Sequence, residues 1–310
     1  METTLLNKST LFKRMIALGD KIGNTPLIPV VGLHRNNNVK IFAKVEWAQL
    51  SGSIKARAAY NIIRHAIEHR YLDENNVLLD ATSGNTGIAY AYIARELGLR
   101  ISLCLPENAS KERKAILESL GVKIIYTSKF GGTDEAQEHA AELAHKFPKR
   151  YFYANQYSNE QNWKAHYMTT APEIFGALPE ITHFVAGLGT TGTFIGTSRK
   201  LKELNPAIKT FSLQPDFALH GLEGWKHLET AIVPKIYAPE IADGNLEIST
   251  LTAYRIIKDF NLKEGLLLSP SSAANLAGAI QIANEIEKGV IVTVLPDNAD
   301  KYSEIIHKIL

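Results

Sequence analysis

Short apolar runs alternate with longer segments of helical period along most of this chain. In the first half, short runs of mostly apolar residues lie at 77–81, 101–105, 123–127 and 151–154. Helical patterns precede and separate them, at 54–70, 86–97, 110–120 and 133–147. Uninterrupted apolar strands between helices are typical of parallel sheets that helices cover on both faces. The pattern therefore predicts an α/β fold.

The same alternation continues through the second half of the chain. Strands are predicted at 183–186, 209–214, 266–268 and 290–295, and helices at 160–175, 193–204, 250–260 and 272–287. The segment 217–245 is interpreted as loops. So many elements predict two doubly wound domains with mostly parallel sheets and a boundary near 157–160. We expect the active site in the cleft between these domains, where such folds bind their ligands.

Composition and charge narrow the functional classes. The chain is 45% hydrophobic and 21% charged, which excludes disordered and collagen-like proteins. Its 34 basic and 32 acidic residues are interspersed, so neither nucleic acid nor a membrane surface is an expected partner. No stretch approaches the roughly 18 apolar residues of a membrane span.

The cysteine and histidine content indicates a metal-free protein of the cytoplasm. The single cysteine, Cys104, lies in an apolar strand, which predicts a buried, inert thiol and excludes an internal disulfide. Residues 1–14 lack the apolar run of a signal peptide, so we expect a cytoplasmic location. The ten histidines show no metal-ligand spacing, so we expect no metal.

A lysine at a helix start is the first candidate for chemistry. Gly52 and Ser53 favour a helix start, which places Lys55 in the first helical turn. The positive end of the helix dipole disfavours an ammonium there, so we expect a more nucleophilic amine. Because a solvent-facing lysine is the better explanation of an isolated Ser-x-Lys, the interpretation depends on two further loops.

The second candidate is a loop of small and polar residues. Thr82-Ser83-Gly84-Asn85-Thr86-Gly87 follows a predicted strand and begins a predicted helix. Hydroxyls and backbone N–H groups at a helix N-terminus bind carboxylates well. A simple helix cap needs one such residue. Here all six residues of the loop are small, polar or glycine, which favours an anion site over a simple cap.

The third candidate, Gly187-Leu188-Gly189-Thr190-Thr191-Gly192-Thr193, also joins a strand to a helix. Its glycines and hydroxyls favour a phosphate site. The glycines also match the dinucleotide pattern G-x-G-x-x-G, which requires an acidic residue at the end of the next strand. That strand ends at Gln214 and the pattern occurs late in the chain, so the phosphate of pyridoxal is preferred to the pyrophosphate of NAD.

A fourth motif, Ser269-Pro270-Ser271-Ser272, is by itself only a helix cap, but it follows the last core strands.

Taken together, the motifs resemble the fold-type II pyridoxal-phosphate enzymes, in particular the cysteine synthases (O-acetylserine sulfhydrylases) of the B-type branch. Further matching segments, spread over nearly the whole chain, are Gly23-Asn24-Thr25-Pro26-Leu27, Lys44-Val45-Glu46, Asn155-Gln156-Tyr157-Ser158-Asn159, Thr169-Thr170-Ala171-Pro172-Glu173-Ile174 and Leu295-Pro296-Asp297. The resemblance implies a tryptophan synthase β-like fold, with a smaller mobile domain at 51–158. Residues 1–50 and 159–310 would form a larger domain that anchors the cofactor.

The resemblance also implies a role for each candidate residue. Lys55 is expected to hold pyridoxal 5'-phosphate as a Schiff base and to move the substrate α-proton, and Asn85 to bind the cofactor ring oxygen. The phosphate is expected at Gly189, Thr190, Thr191, Gly192 and Thr193, and the pyridine nitrogen at Ser271. The substrate carboxylate is expected at Thr82, Ser83, Gly84, Thr86 and Gln156. Because a hydroxyl does not keep the ring nitrogen charged, Ser271 weakens the electron sink and favours prompt loss of a β-leaving group.

The implied reaction is β-replacement in a homodimer, in which O-acetyl-L-serine and sulfide give L-cysteine and acetate. The chain departs from the family pattern at Ala48-Gln49-Leu50, Ala56, Glu160-Gln161-Asn162-Trp163 and Ala273. The arginine that B-type enzymes and phosphoserine users carry is missing from 220–225, which makes O-phosphoserine a less expected substrate. These departures leave the leaving group and the nucleophile open.

Several alternatives remain open from the sequence. One is β-replacement with another leaving group or nucleophile, such as O-phosphoserine or an amine, and another is a serine or threonine lyase that eliminates without replacement. A third is an NAD-dependent oxidoreductase that uses Gly187, Gly189 and Gly192. A fourth is a binding module whose cleft receives the C-terminal tail of a serine acetyltransferase.

Overall fold

The computed structural model describes residues 10–82 and 84–310. They form two compact units. The first consists of the residues up to Ile22 and of Lys55–Gln161, and the second of Gly23–Ile54 and Asn162–Leu310. The chain thus changes unit immediately before Lys55.

Strands and helices alternate along the described residues. The strands are Leu27–Val30 (β1), Val39–Val45 (β2), Val77–Ala81 (β3), Arg100–Pro106 (β4), Lys123–Thr127 (β5), Tyr151–Tyr153 (β6), His183–Gly187 (β7), Lys209–Pro215 (β8), Gly244–Ile248 (β9) and Gly289–Leu295 (β10). The α-helices are Thr10–Leu18 (α1), Lys55–Glu68 (α2), Asn85–Leu97 (α3), Lys111–Ser119 (α4), Gly132–Lys146 (α5), Glu160–Ala165 (α6), Ala171–Ala177 (α7), Gly192–Leu204 (α8), Thr250–Glu264 (α9), Pro270–Glu285 (α10) and Ser303–Ile309 (α11). A π-helical turn, His166–Thr170, joins α6 to α7.

The first unit is built on a parallel four-stranded sheet in the order β5-β4-β3-β6. Strand β3 is buried along its whole length, as its apolar run predicts. Ala136 and Ala140 of α5 pack on β3 and β4 near Cys104. Burial raises the pKa of the Cys104 thiol to about 12, which keeps it protonated and unreactive at neutral pH. The loop 82–87, called the carboxylate loop below, was predicted to bind the substrate carboxylate. Because β3 ends at Ala81 and α3 begins at Asn85, this loop lies at the carboxyl edge of the sheet.

The second unit is built on a six-stranded sheet in the order β1-β2-β10-β7-β8-β9. Every pair is parallel except β1 with β2. Helices α9 and α10 belong to one apolar cluster on this sheet, and α7 and α8 belong to another. Val185 and Phe184, neighbours on β7, point into different clusters because side chains alternate along a strand. Helices therefore cover both faces of the sheet, which explains why its inner strands β7 and β10 are mostly apolar.

The predicted α/β class with mostly parallel sheets is confirmed, but individual elements differ from the pattern. The predicted strand 266–268 is wrong, since only Leu268 pairs there, in an isolated bridge with Asn298. This apolar run is the short connection between α9 and α10, and Leu268 is buried without joining a sheet. The segment predicted as loops, 217–245, runs into β9. This strand was not predicted because Asn245 and Glu247 interrupt the apolar run that marks the other strands. None of the described helices is both long and apolar enough to cross a membrane.

Candidate active site

Lys55 is the first residue of α2, and it follows a turn with strained backbone. Ser51 and Gly52 have φ angles of 65° and 63°, and a left-handed conformation is costly for serine. Two hydrogen bonds hold this turn in the second unit. Lys301 Nζ donates to the Gly52 carbonyl at 3.1 Å, and the Ile54 N–H donates to the Pro296 carbonyl at 2.8 Å. The backbone that leads into the half-buried Lys55 is therefore fixed.

Gln49, one of the departures from the family pattern, anchors the same turn. Its Nε2 donates to Glu46 Oε2 at 2.7 Å, and its Oε1 accepts from the Gly23 N–H at 2.9 Å. The Thr25 hydroxyl donates to the other oxygen of Glu46 at 2.7 Å. The Gln49 side chain thus links Gly23 to Glu46, next to the turn that leads to Lys55.

The predicted carboxylate residues of the first unit lie together. Thr86 Oγ1 donates to Gln156 Oε1 at 2.7 Å, although 70 positions separate the two residues. The Gly84 N–H donates to Thr82 Oγ1 at 3.2 Å. Gln156 Nε2 lies 3.5 Å from the Ala81 carbonyl, which fixes the orientation of the amide. Asn85 begins α3 beside them, whereas Ser83 lies outside the described residues.

A buried carboxyl group that sequence reasoning missed supports this loop. Asp80 Oδ1 accepts from the Ala81 N–H at 2.9 Å, and Oδ2 accepts from the Gln156 N–H at 3.4 Å. Burial raises the pKa of Asp80 to about 7, although the bond from the Ala81 N–H partly opposes it. Tyr90, Tyr153 and Tyr157 surround the carboxyl. The available signal was an acidic residue inside the otherwise apolar run 77–81.

We predict that Asp80 makes folding stability depend on pH. Because its folded pKa is raised, its contribution is complete below about pH 4 and is lost as the pH rises through about 7. At 1.36 kcal/mol per pKa unit, the loss amounts to as much as about 4 kcal/mol. Asp80→Asn should flatten this dependence. Urea unfolding followed across this pH range measures it, with the exposed Asp73→Asn as control. Equal pH slopes in wild type and Asp80→Asn would contradict the prediction.

The predicted phosphate loop lies in the second unit, between β7 and α8. Thr191 has a φ of 70° directly before α8, and its buried Oγ1 has no hydrogen-bond partner among the described residues. A Cβ on Gly189 would lie 2.0 Å from the Gly224 carbonyl oxygen, so only glycine allows this approach. The Gly187 N–H donates to Asn275 Oδ1 at 2.7 Å. An orphaned buried hydroxyl, a strained backbone and a helix N-terminus together fit a phosphate group.

Ser271 lies in the first turn of α10, within a buried polar cluster of the second unit. Its Oγ lies 3.2 Å from Ser269 Oγ and donates to Asp297 Oδ1 at 3.4 Å. The Tyr302 hydroxyl donates to Asp297 Oδ2 at 2.7 Å. The motif Leu295-Pro296-Asp297 therefore supplies a carboxylate next to Ser271, which the sequence interpretation did not include.

The candidate residues thus form one group in each unit. Lys55, Thr82, Gly84, Asn85, Thr86 and Gln156 belong to the first unit, and Gly189–Thr193 and Ser271 belong to the second. Neighbours of the phosphate loop were not predicted because no local motif marks them. Trp225 is buried where a Cβ on Gly187 would lie 2.1 Å from its ring, and Asn162 is buried against Gly192.

Comparisons with known proteins give a consistent result. The family model described as "Pyridoxal-phosphate dependent enzyme" matches residues 18–297. The cysteine synthase of Aquifex aeolicus is 42% identical over 289 residues, which cover 91% of this chain and 88% of that protein. The O-acetylserine dependent cystathionine beta-synthase of Bacillus subtilis is 38% identical over 289 residues, which cover 91% of this chain and 94% of that protein.

Solved structures agree with the relatives. The crystal structure of cysteine synthase (OASS) from Entamoeba histolytica matches with a TM-score of 0.88 at 30% identity. The match covers 93% of this chain and 89% of that chain. The region that the family model matches includes Lys55 and both predicted anion loops.

Proposed function

Because the chain belongs to the pyridoxal-phosphate dependent enzyme family, we propose that it is a cysteine synthase that replaces the acetoxy group of O-acetyl-L-serine with sulfide, so that acetate leaves. Family membership confirms the predicted cofactor, and the NAD-dependent alternative is set aside. The observation that carries the proposal is the extent of the similarity to a cysteine synthase, 42% identity over 91% of this chain. The products are L-cysteine and acetate.

We assign the chemistry to residues of this chain as follows. When bound, pyridoxal 5'-phosphate supplies an electron sink that stabilises negative charge at the substrate Cα. The Lys55 amine would hold the cofactor through its carbonyl and, once displaced by the substrate amine, would be free to remove and return the α-proton. Asn85 binds the ring oxygen, Gly189–Thr193 bind the phosphate, and Ser271 faces the pyridine nitrogen. The unpartnered Thr191 hydroxyl supports the phosphate assignment.

The substrate carboxylate is assigned to Thr82, Ser83, Gly84, Thr86 and Gln156. The 2.7 Å bond from Thr86 to Gln156 supports this assignment because it brings two of these side chains together. Hydroxyl and amide N–H groups are donors that suit a carboxylate. We also propose, from the same family resemblance, that residues 51–158 form a smaller domain.

The proposal is tested with purified protein that is saturated with pyridoxal 5'-phosphate. O-acetyl-L-serine should change its visible absorbance, and sulfide should restore the original spectrum while cysteine and acetate form in equal amounts. Continued acetate release without sulfide, beyond one equivalent per active site, would instead indicate a lyase. An unchanged spectrum with O-acetyl-L-serine would show that the enzyme takes another serine or threonine derivative.

A second candidate function uses a larger thiol in place of sulfide. The similarity to an O-acetylserine dependent cystathionine beta-synthase, at 38% identity, favours it. Homocysteine is the thiol from which cystathionine is built, and it should compete with sulfide if the nucleophile site admits it. Relative kcat/KM for sulfide and homocysteine decides between the two functions.

We further propose that the protein is a cytoplasmic homodimer, as the family resemblance implies. Sedimentation at several protein concentrations tests the dimer. The carboxylate loop is also the place where the C-terminal carboxylate of a serine acetyltransferase tail would dock. Inhibition by a peptide with that tail's sequence, competitive with O-acetyl-L-serine, tests the docking.

A further inference from the structure

A buried histidine lies directly behind the predicted phosphate loop. His166 is 1% exposed, and its Nε2 lies 3.3 Å from the hydroxyl oxygen of Thr193. Its other ring nitrogen, Nδ1, lies 2.9 Å from the hydroxyl oxygen of the fully buried Thr170. One imidazole ring thus connects two threonine hydroxyls, of which only Thr193 belongs to the loop.

The local backbone is irregular where this connection is made. His166 and Thr170 are the first and last residues of the π-helical turn between α6 and α7. Such turns are rare and occur frequently at functional sites. Thr170 follows His166 by four positions, and its hydroxyl lies beside Nδ1 of the ring.

Glycines in α8 allow this segment to approach closely. A Cβ on Gly196 would lie 2.0 Å from the Trp163 carbonyl oxygen and 2.9 Å from the Cβ of His166. A Cβ on Gly192 would lie 2.0 Å from Asn162 Oδ1. These two glycines are four positions apart, so they share one face of α8. The packing holds the ring of His166 against the first turn of α8.

The two contacts of a neutral imidazole have a defined direction, because one ring nitrogen carries a proton and the other accepts one. If Nδ1 accepts from Thr170, Nε2–H donates to Thr193, and the Thr193 proton stays available for a ligand. In the opposite arrangement the Thr193 proton is used on Nε2, and only oxygen lone pairs face the ligand. A phosphate dianion accepts hydrogen bonds and therefore favours the first arrangement.

We propose that His166 is a positioning residue that turns the Thr193 hydroxyl so that its proton faces the cofactor phosphate. The proposal rests on the proposed function, since it takes Gly189–Thr193 as the phosphate loop. His166 itself touches neither cofactor nor substrate. Its effect should therefore be confined to the recognition of the phosphate group.

The test compares two cofactor forms that differ only in the phosphate. Dissociation constants for pyridoxal 5'-phosphate and for pyridoxal are measured with apoprotein by visible absorbance. The variant His166→Asn removes the donor at the Nε2 position and should weaken pyridoxal 5'-phosphate binding roughly 10-fold, as expected for one hydrogen bond. Pyridoxal binding should stay unchanged. His166→Gln, whose amide NH₂ reaches the Nε2 position, should restore most of the affinity for the phosphate form.

Further variants and outcomes separate this role from a structural one. Thr170→Val keeps the ring but removes the proton that orients it, so it should reproduce the phosphate-specific loss even where His166→Asn does not fold. Equal weakening of pyridoxal and pyridoxal 5'-phosphate binding in these variants, or unchanged binding of both, would overturn the proposal. If the wild-type protein itself did not prefer the phosphate form, the phosphate-loop assignment in the proposed function would fail instead.

Discussion

Replacing Lys55 with alanine should lower turnover by about 10³-fold or more while the fold is retained. The side chain is half-buried at the start of α2, so its removal leaves the apolar clusters of both units intact. The amine would be lost both as the covalent attachment for the cofactor and as the base that moves the α-proton. The measurements are cysteine formation, the visible spectrum of the bound cofactor and circular dichroism.

Borohydride reduction gives this prediction a residue-specific test. Reduction of the wild-type protein should fix the cofactor on the peptide that contains Lys55, and mass spectrometry should find no such adduct in Lys55→Ala. The exposed Lys123→Ala, on β5 of the same unit, is the matched control and should behave as wild type. An adduct on another lysine, or normal activity of Lys55→Ala, would remove Lys55 from the assignment.

The apolar pattern predicted most elements of the fold because buried parallel strands must be continuous apolar runs. The strand 77–81 is fully buried and was predicted with the bounds that the structure gives. The edge strand β9 alternates polar and apolar residues and was missed for that reason. The π-helical turn was also missed, since its sequence continues the helical period of 160–175 without a break.

The candidate site was predictable where chemistry resides in local motifs. Loops that join a strand to a helix and are rich in glycine and hydroxyl residues can be recognised as anion sites from the sequence. The residues that support these loops cannot be recognised in this way, because they contact the loops from distant positions in the sequence. Thr86 bonds to Gln156, Gly187 bonds to Asn275, and Thr193 lies against His166. Only the packing of the folded chain brings such pairs together.

Gly189→Ala should have the second large effect, on cofactor binding rather than on chemistry. Its Cβ would lie 2.0 Å from the Gly224 carbonyl oxygen, a backbone atom that cannot move aside as a flexible side chain would. Relieving such an overlap typically costs about 1–3 kcal/mol. The phosphate loop should shift, and the dissociation constant of pyridoxal 5'-phosphate should rise by roughly 10- to 100-fold, since 1.4 kcal/mol corresponds to tenfold.

Two further glycine substitutions show whether the overlap is the cause. Gly176 lies in α7 with no atom within 4 Å of its added Cβ, so Gly176→Ala should leave cofactor affinity unchanged. Gly187→Ala also clashes, but with the Trp225 ring at 2.1 Å, so the double variant with Trp225→Ala should recover part of the lost affinity. No side-chain truncation can relieve Gly189→Ala in the same way. Wild-type affinity in Gly189→Ala would mean that the loop does not depend on its close approach to Gly224.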